Sequence, residues 1–121
     1  MKVSELINTY ESFKTLGEKE LPFEAALTVA ENIETLRVPA EVALRKRNEI
    51  TEKHLERDDK GNLIKVGDGF KLKDSAAYTK EMLELEENEV EVSEIKKIPK
   101  SVLSDVNIAP VKLAPILKYI E

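Results

Sequence analysis

The chain contains no cysteine, one histidine and four glycines. Without cysteine, disulfide frameworks, thiolate metal sites and thiol nucleophiles are all excluded. The single histidine, His54, excludes metal sites built on histidine pairs. Its place at the end of a predicted helix favours a partly solvated side chain over a catalytic base. None of the glycines belongs to a phosphate-binding loop or a nucleophile elbow. These absences predict a protein without a catalytic residue, a cofactor or a resident metal ion.

Charged residues make up 36% of the 121 positions and hydrophobic residues 41%. This balance provides a core for one domain spanning residues 1–121 and leaves a surface of mixed charge. No apolar run approaches the roughly 20 residues of a membrane-spanning helix, and the start of the chain lacks the apolar region of a signal peptide. We therefore expect a soluble protein that begins in a cytoplasm. The net charge of −5 disfavours general attachment to nucleic acid or anionic lipid.

Apolar residues recur at helical spacing in the first half of the chain. The stripe from Leu6 to Leu16 predicts an amphipathic helix with Ser4 as its N-cap and Gly17 as its stop. A second helix is predicted from Phe23 to about Leu55, roughly 50 Å long at 1.5 Å per residue. Pro39 lies inside it, where a missing hydrogen bond and a clash with the preceding turn predict a kink.

The segment ERDDKGNLIKVGDG, residues 56–69, has the composition of a calcium loop but not its spacing. An EF-hand loop needs oxygen ligands at positions 1, 3 and 5, glycine at position 6 and glutamate at position 12. A loop starting at Asp58 has Leu63 at position 6 and Gly69 at position 12. A start at Asp59 places Gly61 at position 3. Turn residues around short apolar runs instead predict a small β-hairpin.

The second half of the chain predicts shorter elements. A third helix is expected from an N-cap at Asp74 to about Asn88. Valine and glutamate then alternate over Glu89–Val92, which predicts a half-buried strand. The tail Pro99–Glu121 has three prolines, each able to begin a short helix, and enough apolar residues to pack back on the helices. The predicted fold is α+β: an elongated antiparallel helical hairpin, a small antiparallel β-sheet and a C-terminal segment of short helices.

The only basic concentration lies in the second predicted helix, and its members are our predicted partner-binding residues: Arg45, Lys46, Arg47 and Lys53. Glutamates interleave this cluster and no aromatic residue lies nearby, so nucleic acid is a disfavoured partner. One interpretation is a salt-bridged helix surface with the pairs Glu41–Arg45 and Glu49–Lys53. The other is a protein contact, because arginine is enriched at interfaces.

The order of segments along the chain is similar to that of a known group of proteins. The stretches KVSELINTYESFKTLGEKELPFEAALTVAENI, DDKGNLIKV and NEVEVSEIKKIPKSVL precede a proline-punctuated apolar tail. This arrangement resembles a family of short uncharacterised proteins encoded by tailed phages and prophages of Gram-positive bacteria. The similarity spans nearly the whole chain, although RVPAEVALRKR around Pro39 departs from the uninterrupted helix of that family. The family has no assigned activity, so no functional residue is transferred. The resemblance implies a viral protein located in the host cytoplasm or in the virion.

Together these patterns predict a non-enzymatic protein that binds another protein, as a virion or assembly component or as an inhibitor of a host factor. The main alternative is an anti-defence protein that sequesters a nucleotide signal between packed helices, with Arg45, Arg47 and Lys53 as phosphate contacts. A third interpretation is an enzyme that uses acidic residues with recruited magnesium. Self-association is also expected, because a long helix with a broad apolar stripe often completes its burial against a copy of itself.

Overall fold

The computed structural model describes all residues from Met1 to Glu121. Three helices dominate it: α1 (Val3–Gly17), α2 (Phe23–His54) and α3 (Ser75–Glu87). The C-terminal segment holds a 3₁₀-helix at Lys100–Leu103, helix α4 at Pro110–Leu113 and a second 3₁₀-helix at Ala114–Tyr119. Two short strands complete the chain, so the predicted α+β class is confirmed.

Helices α1 and α2 form the predicted antiparallel hairpin across a short connection that ends at Pro22. Their facing sides supply most of one buried cluster, which contains Val3, Leu6, Ile7, Tyr10, Phe13 and Leu16 of α1 with Val29, Leu36, Ala40 and Ala43 of α2. Gly17 permits close contact at the connection, because a Cβ there would lie 3.0 Å from the Cδ1 atom of Ile33. The apolar stripe of α1 therefore points into the core as predicted, whereas that of α2 does so only in part, because Leu27 is 45% exposed.

The predicted ends of these helices need one correction. The proposed N-cap Ser4 lies inside α1, which begins at Val3 without a side-chain cap. The cause is tertiary: the Val3 N–H donates to the Asn88 carbonyl at 2.9 Å, and Lys2 pairs with Glu89, so the chain is already held before Ser4. Helix α2 runs through Pro39 as a single element, about 48 Å long at 1.5 Å per residue.

The predicted hairpin is present as strands β1 (Lys65–Val66) and β2 (Gly69–Phe70), paired antiparallel. Gly67 has φ of 60° at the first central position of the turn, where a type II′ turn requires a left-handed residue. In the loop before it, the carboxylate of Asp58 accepts hydrogen bonds from two backbone N–H groups at 2.9 and 3.0 Å. The acidic residue of the supposed calcium loop therefore stabilises a turn.

The predicted strand at Glu89–Val92 is wrong. Only Glu89 forms a bridge, to Lys2, because the partner segment enters α1 at Val3 and offers no further extended backbone. The predicted alternation of burial nevertheless holds. Val90 and Val92 pack against the core cluster, whereas Glu89 and Glu91 are exposed.

The C-terminal segment packs back onto the helices, as predicted. Ile98 and Ile116 are fully buried in the core cluster, and the Tyr119 ring lies 5.9 Å from that of Phe13 in α1. Pro99 immediately precedes the first short helix, Pro110 begins the second, and Pro115 is the second residue of the third.

The molecule exposes more surface than its size requires. A compact monomer of 13.7 kDa exposes about 6,600 Å² by the usual scaling, whereas this chain exposes 8181 Å². The difference reflects the elongated helical hairpin. None of the helices combines the length and apolar composition needed to cross a bilayer.

Candidate functional site

The four predicted partner-binding residues are exposed on the second half of α2, but they do not share one surface. Successive helix residues advance by about 100°, so Arg45 and Arg47 point roughly 200° apart. The Lys46 ammonium lies 3.2 Å from Glu49, and the Lys53 ammonium lies 2.9 Å from Glu81. Only Arg45 and Arg47 have no ion-pair partner. The structure therefore does not bring Arg45, Arg47 and Lys53 together at one phosphate-binding point.

The two predicted ion pairs on α2 are absent. Glu41 instead forms an ion pair with Arg37, one turn earlier, at 3.6 Å, and Arg37 also pairs with Glu34 at 3.2 Å. Lys53 pairs with Glu81 of α3 and not with Glu49. The local i,i+4 rule was overridden by the packing of a neighbouring helix and by a competing arginine.

His54 is more buried than its position in the sequence suggests. Its side chain is 12% exposed, and its Nε2 atom lies 2.6 Å from the carboxylate of Glu81 on α3. The Tyr78 ring packs edge-on against the imidazole at 5.8 Å. Hydrogen bonds from His54 and then Lys53 lower the pKa of the Glu81 carboxyl below its ordinary value. No hydroxyl hydrogen-bonds to the His54–Glu81 pair, so the pair serves as a polar contact that fixes α3 on the end of α2.

The C-terminal segment is positioned by a side chain of α2. Asn32 is buried, and its amide makes two hydrogen bonds to the backbone of Lys96, donating from Nδ2 and accepting at Oδ1, both at 2.9 Å. Two residues later Ile98 pairs with Ile120 in parallel, so the end of the chain returns to the same place. These contacts hold the segment that follows Lys96 in a fixed course.

That course leaves an apolar groove between the two 3₁₀-helices, which we call the C-terminal groove. Its volume is about 740 Å³ and its lining consists of Leu103, Leu113, Leu117 and Ile120 with Lys100, Ser101 and Ser104. Leu117 is 56% exposed although it belongs to this apolar lining. A groove of this size accommodates several side chains of a bound segment.

The C-terminal groove lies in a basic segment of an acidic chain. Within residues 96–121, five lysines against Asp105 and Glu121 give +3, which leaves −8 of the total −5 for residues 1–95. Lys96, Lys97 and Lys118 have carboxylate partners, and Glu5 raises the pKa of Lys118 through a hydrogen bond. Lys100 has no ion-pair partner and stands at the edge of the groove.

A second unusual group lies under the C-terminal segment. Thr9 of α1 is fully buried and its hydroxyl has no hydrogen-bond partner. Four other helical threonines donate to the carbonyl four residues earlier, among them Thr15 to Glu11 at 3.0 Å. Thr9 lines a crevice of about 450 Å³ beside Ala114 and Pro115.

The chain matches no known protein family, no curated protein and no solved structure. No three histidine, cysteine or acidic side chains lie close enough together to hold a metal ion. The arrangement that the structure does provide is a preformed apolar groove with an unpaired lysine at its edge. Sequence reasoning noted the apolar residues of the tail but missed Asn32 and the groove. The contrast in charge between residues 96–121 and the rest of the chain was the signal available for finding it.

Proposed function

We propose that this protein is non-enzymatic and binds another protein through the C-terminal groove, taking an acidic segment that carries apolar anchor residues. The observation that supports this most directly is the coincidence of an apolar groove with a basic segment of an acidic chain. Buried apolar anchors supply affinity, while complementary charge at the rim selects and orients the partner.

The lining residues divide this work. Leu103, Leu113, Leu117 and Ile120 offer apolar contacts, and the exposed surface of Leu117 is removed from water when a partner side chain enters. The ammonium of Lys100 attracts a carboxylate that flanks the anchor. Because Lys100 lies at an exposed rim, its contribution weakens as salt increases.

The proposed location of the protein rests on the resemblance of its sequence to phage and prophage proteins. A phage protein of this kind acts in the host cytoplasm or in the virion, either as an assembly component or as an inhibitor of a host factor. Arg45, Lys46, Arg47 and Lys53 remain a competing binding surface for a protein partner. Variants of these residues are therefore tested beside variants of the groove. No observation in the structure favours a nucleotide at that position.

The test is a selection from a random peptide display library against the full chain. We expect enriched peptides with apolar residues at helical or alternate spacing among aspartates and glutamates. Leu117→Glu should weaken an enriched peptide at least tenfold. Lys100→Glu should weaken it less and reduce the dependence on salt.

The matched control is Val111→Glu, which introduces the same charge in the same segment at a site that is 76% exposed and outside the groove. It should bind the peptide as the wild type does. A second comparison changes Arg45 and Arg47 to glutamate. The proposal fails if Leu117→Glu binds enriched peptides like the wild type, or if the arginine variant abolishes binding that Leu117→Glu retains.

A further inference from the structure

The chain between α3 and the first 3₁₀-helix is extended and fixed at both ends. Its residues Glu89–Lys96, which we call the extended segment, form no helix, turn or bend. Near the start, the backbone of Val90 exchanges two hydrogen bonds with that of Met1, at 2.8 and 3.1 Å. At the end, the Asn32 amide holds the backbone of Lys96, and the apolar side chains between these points pack against the core cluster. The extended segment therefore has a fixed course over the helices.

Most of the backbone of the extended segment makes no hydrogen bond. The N–H and C=O groups of Glu89 and of residues 91–95 have no partner within the chain. The pairing with the start of the chain is antiparallel, and in such a ladder alternate residues direct their backbone groups to opposite edges. Because Val90 directs its groups to Met1, Glu89 and Glu91 direct theirs the other way. Both glutamates are exposed, so the edge that they form is open to water.

The charge around this edge is negative. Residues 86–95 contain five glutamates and no basic residue, and the flanking lysines, Lys2 and Lys96, are each paired with a carboxylate. Glu91 and Glu94 have no ion-pair partner. A second copy of the extended segment would place like charges opposite one another on the new ladder, whereas a basic strand would place opposite charges there. Charge therefore selects a basic occupant for this edge and disfavours a second copy of the chain.

We propose that the extended segment captures a basic peptide as an added β-strand. The peptide backbone pairs with the free N–H and C=O groups of Glu89 and Glu91, and lysine or arginine at alternate positions faces their carboxylates. A crevice of about 620 Å³, lined by Met1, Glu89, Val90, Glu91 and Val92, provides room beside this backbone. It shares no lining residue with the C-terminal groove, and its preferred charge is the opposite one. The two binding proposals therefore fail separately.

Hydrogen exchange of the wild-type chain tests the position of the added strand. The probe is an octapeptide that alternates lysine and valine. Without it, the amides of Glu89 and Glu91 should exchange fast and that of Val90 slowly, because only Val90 donates within the chain. A saturating amount of the probe should slow exchange at Glu89 and Glu91 at least tenfold. The proposal is wrong if these two amides are protected before the probe is added, if the probe does not slow them, or if an octapeptide of glutamate and valine protects them equally.

Backbone methylation of the probe separates strand pairing from simple charge attraction. In a strand that pairs along one edge, only alternate N–H groups face the neighbouring strand. One probe carries N-methyl groups on its four lysines and the other on its four valines, so both have the same charge. One of the two should bind the wild type at least tenfold more weakly than the parent peptide, and the other should bind like the parent. Equal affinity of the two methylated probes refutes strand addition.

Two substitutions at Glu91 make the same distinction on the protein. Glu91→Gln removes the charge and keeps the N–H, whereas Glu91→Pro removes both, and neither removes a hydrogen bond of the fold. Glu91→Gln should weaken binding and reduce its dependence on salt, and Glu91→Pro should bind at least tenfold more weakly still. Glu84→Gln, an exposed site on α3, and Leu117→Glu in the C-terminal groove should both bind the probe like the wild type. Equal affinity of folded Glu91→Pro and Glu91→Gln contradicts the proposal, and if the proline variant does not fold, the methylated probes decide.

Discussion

Asn32→Ala is the substitution that most directly tests how the C-terminal segment is held. The two hydrogen bonds between the Asn32 amide and the Lys96 backbone contribute about 0.5–1.5 kcal/mol each, and leaving the Lys96 groups without partners costs roughly 1–3 kcal/mol more. The better helix propensity of alanine returns about 0.5 kcal/mol. The net loss should be about 1.5–5.5 kcal/mol, equivalent to a fall in melting temperature of about 6–22 °C.

The assay is urea denaturation of both proteins with hydrogen exchange on the folded state. Exchange should accelerate first at the amides of Ile98 and Lys100, which are bonded to the returning end of the chain. The matched control is Asn48→Ala, at an exposed position of the same helix, which should change stability by no more than about 0.5 kcal/mol. If Asn32→Ala is as stable as this control, or if α1 exchanges before the C-terminal segment, the assigned role of Asn32 is wrong.

Two further predictions concern single polar groups. The hydrogen bond from His54 lowers the pKa of Glu81 from 4.5, so this carboxylate stabilises the fold above that pH, and the stabilisation is lost as pH falls through the lowered pKa. Urea midpoints measured at several pH values should show this loss in the wild type and in the exposed-site control Glu84→Gln, but not in Glu81→Gln. Thr9→Val should raise the free energy of unfolding by about 1 kcal/mol, because it removes a buried hydroxyl that has no hydrogen-bond partner. The control Thr15→Val loses a hydrogen bond and should give no gain. A lower free energy of unfolding in Thr9→Val would mean that the hydroxyl has a partner in solution.

The sequence predicted elements whose causes are local. The apolar period of α1 and α2 and the N-cap at Asp74, whose carboxylate accepts from two backbone N–H groups of α3, need no distant residue to be recognised. The strand predicted at Val90 and Val92 failed for the opposite reason. Alternation describes which side of a segment is buried, but a strand also needs a partner, and here the partner segment ends after one bridge.

The candidate site could not be predicted from the sequence, because its contacts also depend on residues that are distant along the chain. Lys53 was predicted to pair with Glu49, yet Glu81 lies closer once α3 packs against α2. Asn32 reads in the sequence as an ordinary polar residue of a helix, and only the approach of Lys96 gives it a function. The groove residues are spread over three short helices, so their convergence depends on how the segment is anchored and cannot be read from local spacing.

The contact between α1 and the end of the chain also sets an order of events during folding. The hairpin of α1 and α2 closes a short loop and can form early, whereas Tyr119 and Ile116 reach α1 only after the whole of α2, the β-hairpin and α3 have been spanned. Contacts this distant in sequence slow folding, and we expect the C-terminal segment to dock last and to open first. A newly made chain would therefore acquire the C-terminal groove only when every other element is in place, so a partner that binds there, as we propose, would select fully folded molecules.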